Sequence, residues 1–193
     1  MRRVIGIGET ILDILFKNNQ PTVAVPGGSV FNGLVSLGRA GVNVTFISEV
    51  GGDRVGEIIL NFMKDNGICT DNVMVYPERK SPISLAFLND KNDAEYSFYK
   101  DYPTLRLDVD MPEVTSEDIV MFGSFYAITP QLRDKVKELL DKARKVGAII
   151  YYDVNFRSTH AHEAIKLMPT ILENFEYADI VRGSIEDFSN MFG

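Results

Sequence analysis

The chain has one cysteine, Cys69, and two histidines, His160 and His162. A single thiol excludes an internal disulfide and a cysteine-based zinc cluster, and such sparse use fits a reducing cytoplasm. The histidines stand two residues apart with few other soft ligands, so they read as a solvated loop rather than a metal site. Positive charge is also scarce: the formal net charge is −7, with no run of Lys or Arg. A phosphate backbone demands a basic footprint, so nucleic acid is not an expected partner. A local anion site built from backbone N–H groups and one or two Arg remains compatible with this charge. Long apolar runs are absent as well. Gly6, Gly8, Glu9 and Asp13 interrupt the segment after Arg2-Arg3, so it does not read as a signal peptide. No stretch is long and apolar enough to suggest a membrane span, and a cytoplasmic location is the expectation.

Two familiar nucleotide motifs are missing. Gly27-Gly28 lacks the Gly-Lys-Ser/Thr ending of a phosphate-binding loop. Gly6-x-Gly8 meets Ile11 where a dinucleotide fingerprint needs its third glycine. No Ser/His/Asp or Cys/His set stands out either.

What is present is an ordinary globular composition, 45% hydrophobic and 24% charged over 193 residues, enough for one domain with a sizeable core. Short apolar runs at 4–8, 44–50, 119–124, 148–154 and 179–182 read as buried strands. Helical spacing covers 29–39, where Ser29 is placed to cap, and 54–66, 130–145 and 161–175, with a short last helix from Ser184. Repeated βα from residue 119 onward implies a parallel sheet covered on both faces. The segments 11–25 and 83–100 alternate instead, with a turn at Asn89-Asp90-Lys91-Asn92-Asp93. They read as an antiparallel excursion from the α/β body. The aromatic Tyr96, Phe98, Tyr99 and Tyr102 fall in or just after it, where they pack or cover a ligand or partner chain.

Three places could carry chemistry. Pro26-Gly27-Gly28-Ser29-Val30-Phe31-Asn32 is a Gly-Gly turn feeding a helix, which brings backbone N–H groups close to a small polar ligand, with Asn32 one turn in. Asp13 interrupts the apolar Ile11-Leu12-Asp13-Ile14-Leu15. Either strand alternation turns it to solvent, or it is paired or used, since burying a carboxylate without a partner is costly. A carboxylate and a carboxamide together suit vicinal hydroxyls. Asp153-Val154-Asn155-Phe156-Arg157 closes a strand, where ligands of open α/β sheets bind. Arg157 there could neutralise a transferring phosphoryl group, or the cluster could merely cap a helix.

In order and spacing, Gly6-Ile7-Gly8-Glu9-Thr10 with Asp13, Gly27-Gly28 with Asn32, and Gly51-Gly52-Asp53 with Gly56 resemble the PfkB (ribokinase-like) sugar kinases. Gly67-Ile68 with Asp71 and Val73 is similar to a further family segment, and Asp153-x-Asn155-x-Arg157 resembles the motif of the fructokinase and 2-keto-3-deoxygluconate kinase branches. Leu34 departs from the Ala common two positions after the Asn. The resemblance implies an incomplete ribokinase-like domain over 1–193: an α/β/α sandwich whose small β-sheet lid is formed by 11–25 and 83–100. It implies an ATP-dependent, fructokinase-like carbohydrate kinase using Mg2+, often a homodimer through the lids. Asp13, Gly27, Gly28 and Asn32 would hold the sugar. The family's Asn-x-x-Glu falls on Ser184-Ile185-Glu186-Asp187, which with Asn155 places Ser184 and Asp187 near phosphate and magnesium. The nucleotide loop and catalytic Asp are expected beyond Gly193, in a longer chain. A related nucleoside or sugar-acid kinase, or a sugar-binding module without catalysis, are the alternatives.

Overall fold

A computed structural model of the protein describes residues 2–89, 94–156 and 163–193. Two sheets organise it. The larger contains β1 (Val4–Ile7), β4 (Val44–Gly51), β5 (Ile68–Cys69), β6 (Val73–Tyr76), β9 (Ile119–Gly123), β10 (Ile149–Asp153) and β11 (Ile180–Arg182). Its order is β11-β10-β9-β1-β4-β5, with β6 also paired to β4, and every pairing is parallel.

The apolar runs at 4–8, 44–50, 119–124 and 148–154 exist because both faces of this sheet are covered there; β11, expected from its apolar residues to be buried, is instead exposed at the end of the sheet order, where it pairs only with β10 among the described residues. Successive side chains of a strand point to opposite faces. Ile5 and Ile7 of β1, Val120 and Phe122 of β9, and Ile150 and Tyr152 of β10 join one buried cluster. It takes Leu139 and Leu140 from α3 (Arg133–Val146) and Leu167 and Ile171 from α4 (Ala164–Tyr177). Val4, Val44 and Phe46 point the other way, onto Phe31 and Leu34 of α1 (Ser29–Arg39) and Ile59 and Met63 of α2 (Arg54–Asp65). The result is an α/β/α sandwich. The short α5 (Ile185–Phe192) follows β11.

The second sheet contains β2 (Ile11–Lys17), β3 (Gln20–Gly27), β7 (Ile83–Leu88) and β8 (Ala94–Tyr99), in the order β3-β2-β7-β8. Its two hairpins are antiparallel, but β2 and β7 run parallel, so the sheet is mixed rather than wholly antiparallel. The chain travels through α1, β4, α2, β5 and β6 between those strands, and a long crossover can return in the same direction.

Two helix starts also differ from the sequence reading. Ser29 is the first residue of α1, not its cap; Gly28 occupies the cap position with φ 140°. Pro130 opens a 3-10 turn through Leu132, and α3 begins only at Arg133.

Candidate functional site

Asp13 is on β2, directly opposite Val25 of β3 and Ser84 of β7. The Ser84 hydroxyl donates to Asp13 Oδ1. Directly paired residues share a face of a sheet. Asp13, Ser84 and Phe98 are therefore on one face, together with Val25, and so are Leu15, Ala86, Tyr96 and Val23. Burial pushes the Asp13 carboxyl above its ordinary range; the Ser84 bond opposes this, and the Glu9 charge adds to it. The carboxylate is thus half-buried, held on one oxygen and electrostatically uncomfortable, rather than turned to solvent.

Gly27 ends β3 on the same face, and a Cβ there would fall on Asp13 Oδ2. Gly28 follows with φ 140°, and a Cβ there would meet the Glu9 carbonyl. Both positions require glycine, one for space and the other for conformation as well. Because Gly28 caps α1 without a side chain, the first N–H groups of that helix have no capping partner. Asn32 is exposed one turn further along.

Glu9 is itself fixed. Lys100 Nζ donates to both its oxygens at 2.7 and 2.9 Å, and the Tyr102 hydroxyl donates at 2.5 Å. The Arg106 guanidinium lies 3.6 Å from the Tyr102 ring centroid and pairs with the buried Glu49, which also accepts from the hydroxyls of Tyr76 and Tyr126. Burial, helped by the Glu9 charge and hydrogen bond, drives the Tyr102 phenol far above its usual range, so it stays a proton donor.

A cleft of about 460 Å³ runs beside α1. Asn32, Asp153, Asn155 and Arg182 are among its lining residues, with Ser29 at its helix end. Asp153, at the end of β10, is the hub: Oδ2 accepts from the Ser29 hydroxyl at 2.8 Å and Oδ1 from Arg182 at 2.9 Å. These groups gather at the carboxyl ends of parallel strands, where chain connections diverge from β1 toward β4 on one side and lie toward β9 on the other.

The other sequence candidates separate from this group. Asp13, Gly27 and Gly28 adjoin α1 but do not line the cleft. Ser184 and Asp187 do not line it either. Asp187 Oδ2 accepts from the Ser184 N–H and hydroxyl at 2.7 and 2.8 Å, and Ser184 Oγ accepts from the Asp187 N–H at 3.1 Å. That reciprocal capping box at the head of α5 accounts for both side chains. Arg157, His160 and His162 lie outside the described residues, as does most of the 89–93 turn. Among the described residues no group of three or more His, Cys, Asp or Glu is placed to hold a metal ion. No helix among them is long and apolar enough to cross a membrane.

The family model for pfkB family carbohydrate kinases matches residues 1–193. The chain belongs to this family. It is 26% identical over 195 residues to a probable chloroplastic fructokinase-6 of Arabidopsis thaliana, covering 95% of this chain and 51% of that protein. It is 22% identical over 189 residues to a fructokinase of Vibrio alginolyticus, covering 97% of this chain and 62% of the relative. The chain thus spans about half to three fifths of the length of these relatives. An apo fructokinase from Vibrio cholerae superposes with a TM-score of 0.84 at 20% identity, over 100% of this chain and 67% of that one. A sugar kinase from Pyrococcus horikoshii gives 0.83 at 23%, over 97% and 67%. These similarities establish the ribokinase-like α/β fold.

Within this pfkB fold, the sequence reading overlooked Ser84, Ser29 and Arg182 as partners of the two carboxylates. Ser84 had a signal: it is the polar break in Ile83-Ser84-Leu85-Ala86-Phe87, just as Asp13 breaks β2. Pairing the two breaks across 71 residues needed the parallel β2–β7 register. Gly56 and Asp53 proved structural. Asp53 Oδ1 accepts from the Gly56 N–H at 3.0 Å and caps α2, while Ser81 donates to both Asp53 oxygens.

Proposed function

We propose that the protein is the sugar-binding portion of an ATP-dependent carbohydrate kinase, fructokinase-like, in which the γ-phosphoryl group of ATP passes to a sugar hydroxyl. The observation that carries this reading is Asp13: a half-buried carboxylate, held by Ser84 on one oxygen, with the other kept clear by side-chain-less Gly27. A ligand hydroxyl can donate to that oxygen, a charge-assisted bond stronger than a neutral one. Gly28 and the uncapped start of α1 offer N–H donors to neighbouring hydroxyl oxygens, and the Asn32 carboxamide can donate and accept. Fixing several hydroxyls at once orients one of them, and phosphoryl transfer is mainly positioning and charge stabilisation.

Asn155 follows β10, on the strand end that would face the transferred phosphoryl group, and Arg157, by its place in the sequence, is the candidate to neutralise that group's charge. ATP would bring Mg2+ on its phosphates, supplying charge neutralisation, and such an ion needs only one or two protein carboxylates. In this reading the chain's own residues bind and orient the acceptor. We place the protein in the cytoplasm, where a lone free cysteine and ATP are both at home.

We also propose that the four-stranded sheet is a lid through which two chains pair. Val23, Val25, Tyr96 and Phe98 are exposed apolar residues on the Asp13 face, and β3 and β8 leave the sheet two open edges. The register puts these four residues on the same face as Asp13. Light scattering on the full-length protein should give a dimer, and Phe98→Glu should give a monomer; a parental monomer would remove the pairing.

The function is tested by ADP formation from ATP across a panel of sugars. Sugar binding without ADP formation would favour the non-catalytic module.

A further inference from the structure

Two residues at neighbouring strand ends hold left-handed backbone without being glycine: Ser124 after β9, φ 58°, and Asn155 after β10, φ 41°. Serine gains little from that conformation and is rarely found in it. Elsewhere Asn18 and Asn19, also at positive φ, form the two-residue tip of the β2–β3 hairpin, where a tight turn requires it, and Leu107 holds φ 53° with its side chain fully buried in the core, away from the cleft. No hairpin demands it at Ser124 or Asn155.

The two strained residues are linked. Asn155 Nδ2 donates to Ser124 Oγ at 3.1 Å. The Ser124 N–H donates to the Asp153 carbonyl at 2.9 Å. Gly123 precedes it so close to β10 that a Cβ would fall on that same carbonyl. The conformation of Ser124 is therefore set by the backbone junction of β9 and β10, and its hydroxyl is set against the Asn155 carboxamide. Asn155, in turn, lines the cleft with Asn32 and Asp153, whereas Ser124 does not.

We propose that Ser124 is a positioning residue: its hydroxyl fixes the orientation of the Asn155 carboxamide toward a ligand in the cleft, and the pair keeps strained backbone for that purpose. The proposal rests on the sugar-kinase reading of the same site. Unfavourable backbone of this kind persists where surrounding structure enforces it, and it concentrates at binding and catalytic sites. A glycine at position 124 would relax the backbone and discard the hydroxyl, so stability and positioning pull in opposite directions there.

Two variants of the full-length protein separate these effects. Ser124→Ala keeps the strained backbone and removes the hydroxyl; Ser124→Gly removes both. Both should lower kcat for sugar phosphorylation by about tenfold with a smaller change in KM, because one oriented hydrogen bond is lost. Ser124→Gly should nevertheless melt at or above the temperature of Ser124→Ala. In combination with Asn155→Ala, either loss should be less than multiplicative. Parental kcat in both variants, or fully multiplicative losses, would overturn the proposal. A readout independent of catalysis is the side-chain amide proton pair of Asn155, assigned by its disappearance in Asn155→Asp. Its signals should shift and exchange faster in Ser124→Ala, and unchanged signals would overturn the positioning role. A parental protein that forms no ADP with any sugar would sink the kinase reading, while the Asn155 signals would still decide whether Ser124 holds that side chain.

Discussion

The Asp13 carboxylate occupies the space that any side chain at position 27 would need. A Cβ on Gly27 would clash with Asp13 Oδ2, on the face where Ser84 already holds Oδ1. Gly27→Ala should therefore displace Asp13 and break its bond to Ser84. Loss of a charged hydrogen-bond partner typically costs about 2–3 kcal/mol, roughly 30- to 140-fold in affinity. Calorimetric titration of the full-length protein with its sugar should show a loss of that order, with the protein folded by circular dichroism. Unchanged affinity would mean that Asp13 does not touch the ligand.

The same carboxylate should make stability depend on pH in an unusual direction. Burial raises the Asp13 carboxyl above its ordinary 3.8, the Ser84 bond opposing and the Glu9 charge adding. The folded chain therefore keeps this proton to higher pH than the unfolded chain. Its contribution is most favourable below 3.8 and is lost as pH rises through the raised folded value. Asp13→Asn cannot ionise. Its stability relative to the parent should grow as pH rises through that window and then level off, while sugar binding is lost. Urea titrations at a series of pH values measure this, and a parent that gains on the variant with rising pH would contradict it.

Glu49 and Arg106 make a different kind of pair, buried at 1% and 8% side-chain exposure. Removing one member leaves a charge without its partner in the interior, which costs about 3–5 kcal/mol. Arg106→Ala should lower unfolding stability by about that much, and Arg106→Ala with Glu49→Gln should recover part of it. An Arg106→Ala protein as stable as the parent would show that Tyr76 and Tyr126 alone satisfy Glu49.

What the sequence revealed, and what it withheld, follows from how far each interaction reaches along the chain. The runs at 4–8, 44–50 and 119–124 stood out because a strand buried on both faces must be apolar throughout, and the sandwich followed from the alternation of those runs with amphipathic helices. Gly27-Gly28 and Asn32 stood out because turn, helix start and first helical turn are contiguous. The hydroxyl of Ser29 looked like a helix cap by the same local logic. In the fold it donates instead to Asp153, 124 residues away, which no local pattern encodes. Ser184 and Asp187 looked like ligand groups through family likeness, yet their spacing of three is also that of a capping box, and that is the geometry they form. The parallel run of β2 beside β7 depends on a crossover through half the α/β body, so alternation within each strand could not reveal its direction.

The most direct test of the account is sugar-dependent ADP formation by the full-length protein with ATP and Mg2+, over a panel that includes fructose, for the parent and for Asp13→Ala. The account predicts turnover with at least one sugar, and a kcat/KM lower by roughly 30-fold or more in a folded Asp13→Ala protein. No sugar-dependent ADP formation from any member of the panel, or parental kcat/KM in Asp13→Ala, would contradict it.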